Sequence, residues 1–423
     1  MLVLEREGRV DDSARVVNAA IPRAGSAARW GMTAILLVAI TTAFFDRINV
    51  SVLFGNKDFQ TAIGVSDPAL LGLLMTAFVF AYGASMLLFS ISGDYFGPRR
   101  TLSAIAVMLA ATMAFMGAVS SYALMFAARV VLGITEGPQF GTATATVKRW
   151  FPPGERAIGN AFWAIGSPLG SAIGIPLALF LVAQYGWRAS FYVLGALNAF
   201  LVLPIVWLFL KDRPPTDEAP VPLKREPEMS FREAFATFAS DWQFWCLVVF
   251  NTGTLIYLWG LNAWLPTYLQ QERHFDIAHA GLYSSLPFIL MLLGEIVCAY
   301  VGDWTSRRAA VCSIGLLLAG VFIYLGAVAA DPIVAVWCIA VSAFFWGGTT
   351  PTLFALGMEI IPTKVTAAGF GVYAGIANTV SSFAPFIIGA LVARTGDFTA
   401  GLVFLVISCV IGSAFMAPLT RNH

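Results

Sequence analysis

The chain has 423 residues, of which 58% are hydrophobic and only 12% charged, against roughly 25% charged in ordinary soluble domains. A soluble globular fold is therefore excluded. Its 25 Lys and Arg offset 24 Asp and Glu, which leaves no one-signed surface for nucleic acid.

The first 29 residues are polar and of mixed charge, whereas a signal peptide joins a short basic start to an apolar stretch and a small-residue cleavage site. The first span is expected to be uncleaved, with 1–29 as a cytoplasmic segment. A bilayer crossing needs about 20 mostly apolar residues. Hydropathy then predicts twelve spans, at roughly 30–54, 68–91, 101–120, 122–146, 157–184, 189–210, 243–269, 279–301, 309–330, 332–358, 365–393 and 398–418. Between the sixth and seventh, Lys211 to Asp241 holds five prolines and mixed charges, the composition of a linker. The expected organisation is a bundle over 30–210, a cytoplasmic linker over 211–242, a second bundle over 243–418 and a short tail over 419–423.

With the N-terminus inside, 19 Lys and Arg fall in inside segments and 4 in outside loops. The positive-inside rule thus places both termini in the cytoplasm. Gly93, Asp94, Arg99, Pro153, Gly166 and Pro176 recur 209 positions later as Gly302, Asp303, Arg308, Pro362, Gly375 and Pro385. Six matches in one order, at turn and kink residues, predict two parallel six-helix halves with a site between them.

Five charges lie inside spans: Asp46, Arg47, Arg129, Glu136 and Glu295. Each costs about 2.5 to 3.5 kcal/mol at mid-bilayer, so such groups pair or line a wet cavity. Arg129, Gly133 and Glu136 share one helical face over about 10 Å, where an arginine and a glutamate can exchange partners as the glutamate takes a proton; a permanent buried salt bridge is the structural alternative. Pro138 deprives the Ile134 carbonyl of its helical donor and predicts a kink beside Glu136. Asp46 and Arg47 point about 100° apart, so one can face a cavity and the other a neighbouring helix. An arginine fork matches a carboxylate bidentately and stays charged. Glu295 has no nameable basic partner and reads as a neutral buried acid before a third proton site.

Gly166, Gly170 and Gly174 form a small-residue ridge for close helix approach. Tyr82, Asn251, Asn262, Asn378 and Ser381 are polar groups within apolar helices. Trp163, Trp259, Trp264 and Trp346 fit an aromatic cavity or interfacial packing, with Trp264 read as an anchor. His274 and His279 flank a span and read as solvated loop residues. The five cysteines lack metal or disulfide spacing, and no nucleophile, base or ligand cluster appears at motif spacing. Neither a cofactor, a metal nor an enzyme activity is expected.

The turn after the second span reads Gly93, Asp94, Tyr95, Phe96, Gly97, Pro98, Arg99, Arg100. It resembles the signature loop of the major facilitator superfamily, in which the glycines permit a tight turn and Asp94 can pair with Arg99 or a neighbouring helix end. A membrane anchor with an incidental acid is the plainer alternative. The second copy, Gly302 to Arg308, has Ser306 where a glycine is usual. Asp46, Arg47, Ile48 and Asn49, then Arg129, Gly133, Glu136, Gly137 and Pro138, then Trp150, Phe151 and Pro152 with Glu155 and Arg156, narrow the resemblance to the anion:cation symporter family. Gly186, Trp187, Arg188 and Phe191, and more thinly Asn378, Pro385 and Gly389, extend it.

That resemblance implies an all-α membrane protein with twelve transmembrane helices in two pseudo-symmetric halves, the major facilitator fold. It implies a gating loop at Gly93, Asp94, Gly97, Arg99 and Arg100. By the same resemblance Arg47 contacts substrate, Asn378 is a further contact, and Asp46 and Glu136 take coupling protons; among the polar groups within apolar helices Tyr82 is the next candidate contact, and Arg129, on the same helical face, is the expected partner of Glu136. The expected function is proton-coupled symport of a small organic carboxylate, whether sugar acid, dicarboxylate or aromatic acid, by a monomer in the plasma membrane. The spans predicted seventh and tenth carry no Lys, Arg or His, which disfavours a phosphate ester. Proton-independent exchange or uniport of an organic anion is the alternative, and a non-transporting receptor is a third, weaker one.

Overall fold

The computed structural model describes residues 26–89, 92–214, 239–305, 307–361 and 366–421. Residues 1–25, most of the expected linker, Pro362 of the internal repeat and the last two residues lie outside them. Among the described residues every regular element is helical. The first half comprises α1 (Ser26–Asn49), α2 (Pro68–Phe89), α3 (Pro98–Ala118), α4 (Tyr122–Glu136 continued as Pro138–Trp150), α5 (Arg156–Ala164 and Gly166–Tyr185) and α6 (Trp187–Leu197, a π turn over Asn198–Val202, then Leu203–Phe209). The second comprises α7 (Trp242–Gln271), α8 (Ile277–Thr305), α9 (Arg308–Val328), α10 (Pro332–Gly347 and Thr349–Ile360), α11 (Thr366–Ser381 and Ala384–Thr395) and α12 (Thr399–Met416).

Eleven of these helices are long and apolar enough to cross a bilayer. The other is α4, divided at Gly137 into pieces of 15 and 13 residues and carrying both Arg129 and Glu136. The division occurs where Pro138 removes a donor, and the carbonyl this frees is not left bare: the Ser85 hydroxyl of α2 donates to the Ile134 carbonyl at 2.6 Å. Satisfying a freed carbonyl from a neighbouring helix is what makes such a break tolerable in a membrane. Helix starts follow ordinary rules. Asp241 caps α7, Asp331 caps α10 and Pro98 opens α3.

The glycine ridge of α5 lies on α1, where a methyl on Gly166 would stand 2.9 Å from the Leu37 carbonyl oxygen and one on Gly170 2.7 Å from that of Thr41. Several backbone contacts between the halves lie at the end of the bundle away from the Gly93–Arg100 turn, here called the far end, while nearer the turn α2 and α11 meet through a side chain, Leu87 against Gly375. Gly72 of α2 abuts the Pro385 carbonyl of α11, and Gly281 of α8 abuts Pro176 of α5. These two contacts are images of one another, because Gly281 follows Gly72 by the same 209 positions that separate Pro385 from Pro176. This further repeat pair went unnoticed in the sequence. Around it, Phe54 packs on Trp264 with ring centroids 5.1 Å apart, and the Ser285 hydroxyl donates to the Ala172 carbonyl at 2.6 Å. Trp264 is therefore not an interfacial anchor: it is 4% exposed and donates its indole N–H to the Pro385 carbonyl at 2.9 Å.

Candidate functional site

Asp46 and Arg47 lie near the far end of α1, and both are completely buried. As their spacing predicts, they part company. Asp46 turns to α6, where the Asn198 side-chain amide donates to its Oδ2 at 2.7 Å. Arg47 turns into the bundle and pairs through Nε with Oε2 of Glu136 on α4. The pair uses one edge of each group, because Arg47 Nη2 and Glu136 Oε1 have no partner within the protein.

The expected exchange partner of Glu136 is corrected by this arrangement. Arg129 is not bonded to Glu136. It donates to the carbonyls of Leu74 and Arg47, each at 3.2 Å, and to the Met75 sulfur, and its guanidinium lies 4.6 Å from the Phe78 ring. Two helical turns separate the residues, about 10 Å along the axis, and Arg47 fills the space closer to the glutamate. Gly133 provides the close approach expected of it, towards α2 and not towards a water, since an added methyl would stand 2.8 Å from the Tyr82 nitrogen.

Aromatic rings enclose Arg47. Its guanidinium carbon is 4.3 Å from the Phe44 ring, 4.6 Å from Tyr82, 5.5 Å from Phe140 and 5.8 Å from Phe78. Trp163 packs on Phe140, and Trp259 of α7 reaches across from the second half to Phe78 and Tyr82. The Trp259 indole N–H is buried and without a partner. Cation–π contacts stabilise a desolvated guanidinium without consuming its donors, so Arg47 is held while part of its fork stays available.

Tyr82 thus sits at the arginine, and Asn378 of α11 lies alongside, its Cβ 3.2 Å from a methyl placed on Gly83. The Asn378 amide donates to the Ala374 carbonyl. Of the other polar candidates, Asn262 receives the Ser171 hydroxyl across the halves at 3.4 Å, while Asn251 and Ser381 bond within their own helices. Trp346 stacks on Tyr257 inside the second half. Glu295 is partly buried in α8, away from this cluster, with neither a hydrogen bond nor an ion pair among the described residues.

At the opposite end the Gly93–Arg100 turn is tied within its own half. Arg149, at the end of α4, bonds the Asp94 carboxylate at 3.2 Å and the carbonyls of Gly93 and Asp94. Asp94 therefore takes the neighbouring helix end and not Arg99. Arg99 instead offers its backbone N–H to Asp212 at 2.9 Å and stacks on Trp207 at 4.7 Å, while Arg100 is exposed. Gly97 is required by its φ of 87°, and Gly93 by Thr142, whose Cα lies 2.8 Å from an added methyl. In the second half Gly302 meets Thr352 and Arg308 pairs with Glu359.

Just ahead of α8, Asp276 bonds the ring of His279 in the first turn of that helix at 2.5 Å. The backbone N–H and ring of His279 together hold the Asp276 carboxyl below the usual carboxylate range. All five cysteines are free.

Sequence reading missed two parts of this site: Asn198, and the rings of Phe44, Phe78 and Phe140. Asn198 carried the signal used for Asn251 and Asn262, a lone amide in an apolar helix. The phenylalanines carried none, being three among 34.

Residues 36–385 match the family model described as Major Facilitator Superfamily. A protein of Cupriavidus necator named "Probable sulfoacetate transporter SauU" is 29% identical over 399 residues, covering 90% of each chain. One of Escherichia coli named "Probable L-galactonate transporter" is 25% identical, covering 91% of this chain and 88% of its own. The hexuronate transporter of Bacillus subtilis is 25% identical over 78% and 80%. Among solved structures, a bacterial homologue of the human lysosomal transporter Spinster superposes with a TM-score of 0.79 at 17% identity, covering 94% of this chain and 98% of its own.

Proposed function

The chain belongs to the major facilitator superfamily, and from that premise we propose that it is a proton-coupled symporter of a small organic carboxylate working by alternating access. The observation that carries the proposal is the buried, half-used pair of Arg47 and Glu136. Breaking a buried ion pair by neutralising one partner leaves the other as an uncompensated charge, at a cost of about 3 to 5 kcal/mol. Protonation of Glu136 does this to Arg47. A substrate carboxylate supplies the missing charge and a bidentate fit to the fork, so proton and anion favour each other's binding. That reciprocity is the thermodynamic content of symport.

Asp46 is the second proton site, and Arg129, bonded to the Arg47 carbonyl, adds a fixed positive charge to the same cluster. With both acids ionised the four charges cancel, and each proton bound leaves the cluster one charge more positive. Tyr82 and Asn378 contact the body of the substrate from the two halves. The organic-acid names of the relatives support this substrate class, and the single substrate-facing arginine supports a monoanionic head.

Both termini and the Gly93–Arg100 turn are cytoplasmic, by the distribution of Lys and Arg, in a plasma-membrane carrier that acts as a monomer. Residues 30–210 and 243–418 are its two moving bodies and 211–242 the linker. With the contacts of Gly72, Gly281 and Trp264 shut, the outer end is sealed.

Proteoliposomes separate coupling from binding. Glu136→Gln mimics the protonated acid and releases Arg47, so it should abolish uptake driven by an inward pH gradient and retain counterflow exchange. Loss of both activities in a folded variant, or wild-type gradient-driven uptake in it, contradicts the assignment. Exchange without any pH response in the wild type would favour the proton-independent alternative.

A further inference from the structure

Between α1 and α6 a carboxyl and an amide meet in an interior that offers them little else. The Asn198 amide donates to Asp46 Oδ2 at 2.7 Å and to the Leu194 carbonyl at 3.1 Å. Two oxygens are left over, Asp46 Oδ1 and Asn198 Oδ1, both buried and both without a donor. Buried acceptors in native proteins are nearly always satisfied. Two planar groups already joined by one N–H···O bond need only a common plane to bring their remaining oxygens within reach. One proton on Asp46 Oδ1 then completes a ring, the acid O–H donating to the amide oxygen while the amide N–H donates to the acid carbonyl. The same proton satisfies both orphan oxygens.

The backbone of α6 at this point is unusual. Asn198 opens a π turn that runs to Val202, and single π turns interrupt helices mostly at functional positions. The turn sets Asn198 against α1, where Asp46, Arg47 and Asn49 are all buried. The charged groups acting on Asp46 are Glu136 and Arg129 from α4 and Arg47 from its own helix. None of them bonds it.

We propose that Asn198 is the positioning residue of the proton site, holding Asp46 in a two-bond acid–amide ring while it carries a proton. When the proton leaves to water, Asp46 Oδ1 becomes an anionic oxygen facing the lone pairs of Asn198 Oδ1, and the ring is reduced to one bond with a repulsive neighbour. The proton that loads the carrier therefore also fastens α1 to α6. This inference rests on the reading of Asp46 as a coupling residue, yet its spectroscopic test does not depend on transport.

The experiment uses purified, lipid-reconstituted protein and has two arms. In infrared difference spectra on pH change, the wild type should show a hydrogen-bonded, protonated carboxyl band that is absent from Asp46→Asn. Absence of any band assignable to Asp46 overturns the proposal, and this arm needs no Asn198 variant to fold. In the second arm, Asn198→Leu removes both bonds from the protonated form, but one bond and one repulsion from the ionised form. Its pH midpoint for uptake should move to lower pH by on the order of one unit, with the carboxyl band shifted towards that of a free acid. A midpoint moved to higher pH would mean that Asn198 serves an ionised carboxylate, and an unmoved midpoint that it is a packing residue; either result overturns the proposal. If gradient-driven uptake survives in Asp46→Asn while the wild-type band is present, the coupling reading fails and the acid–amide ring stands.

Discussion

Gly72 and Gly281 occupy the same place in the two halves, and their substitution should have unequal consequences. A methyl on Gly72 would stand 2.8 Å from the Pro385 carbonyl carbon and closer still to its oxygen, whereas one on Gly281 would stand 3.3 Å from the Pro176 Cα. Ordinary contacts begin near 3.4 Å. Gly72→Ala therefore forces a backbone-to-backbone retreat, while Gly281→Ala asks for about 0.1 Å, which a helix pair yields readily. Overpacking of the first kind costs about 1 to 3 kcal/mol. It falls only on the state in which the far end is shut, so it changes the ratio of conformations by roughly 5- to 150-fold. Spin labels at Thr61→Cys and Arg394→Cys, two exposed far-end positions on opposite halves, in a background without the native cysteines, report the separation directly. Gly72→Ala should shift the distance distribution to longer values and slow transport, and Gly281→Ala should change neither by more than about twofold. Equal behaviour of the two variants, or a wild-type distribution in Gly72→Ala, would refute the assignment of this contact as the seal.

Three other outcomes are expected. Arg47→Lys keeps the charge and loses the fork, so calorimetric affinity for the substrate carboxylate should fall at least tenfold; unchanged affinity removes Arg47 from the site. Arg273 donates to the carbonyls of Gly326, Ala327 and Ala329 at the end of α9, at 2.7 to 3.1 Å, and its replacement by Ala should lower stability by about 2 to 3 kcal/mol; thermal unfolding in detergent at the wild-type temperature would contradict this. Asp94 is 70% exposed at its bond to Arg149, and such pairs contribute about 0 to 1 kcal/mol, so Asp94→Asn should slow turnover no more than about fivefold and leave binding unchanged. A loss of binding in that variant would show that the turn acts on the site itself.

The twelve helices and their division into halves were legible because bilayer crossing demands long apolar runs, and because turn glycines and helix prolines recur at a fixed offset. The break in α4 was legible from Pro138 alone. Which side chain pairs with Glu136 was not. Helical spacing reported that Arg129 and Glu136 share a face, but a shared face over two turns is not contact, and the nearer cation arrived from another helix. The opposite lesson comes from Asp46 and Arg47, where adjacency correctly excluded a mutual pair. Asn198 was missed because its meaning lies in what α6 faces, and helix-to-helix registry cannot be computed from a single hydropathy profile. Trp264 was misplaced for the same reason: its position near a helix end suggested an interface, whereas α11, Phe54 and Phe398 close over it.

The central claim is that a proton and an anion cross together, and proton movement on substrate addition tests it most directly. Proteoliposomes with a pH indicator outside, no imposed gradient and a valinomycin-clamped potential should show external alkalinisation when a transported carboxylate is added, and none with Glu136→Gln. Anion uptake with no accompanying pH change in the wild type would contradict the account.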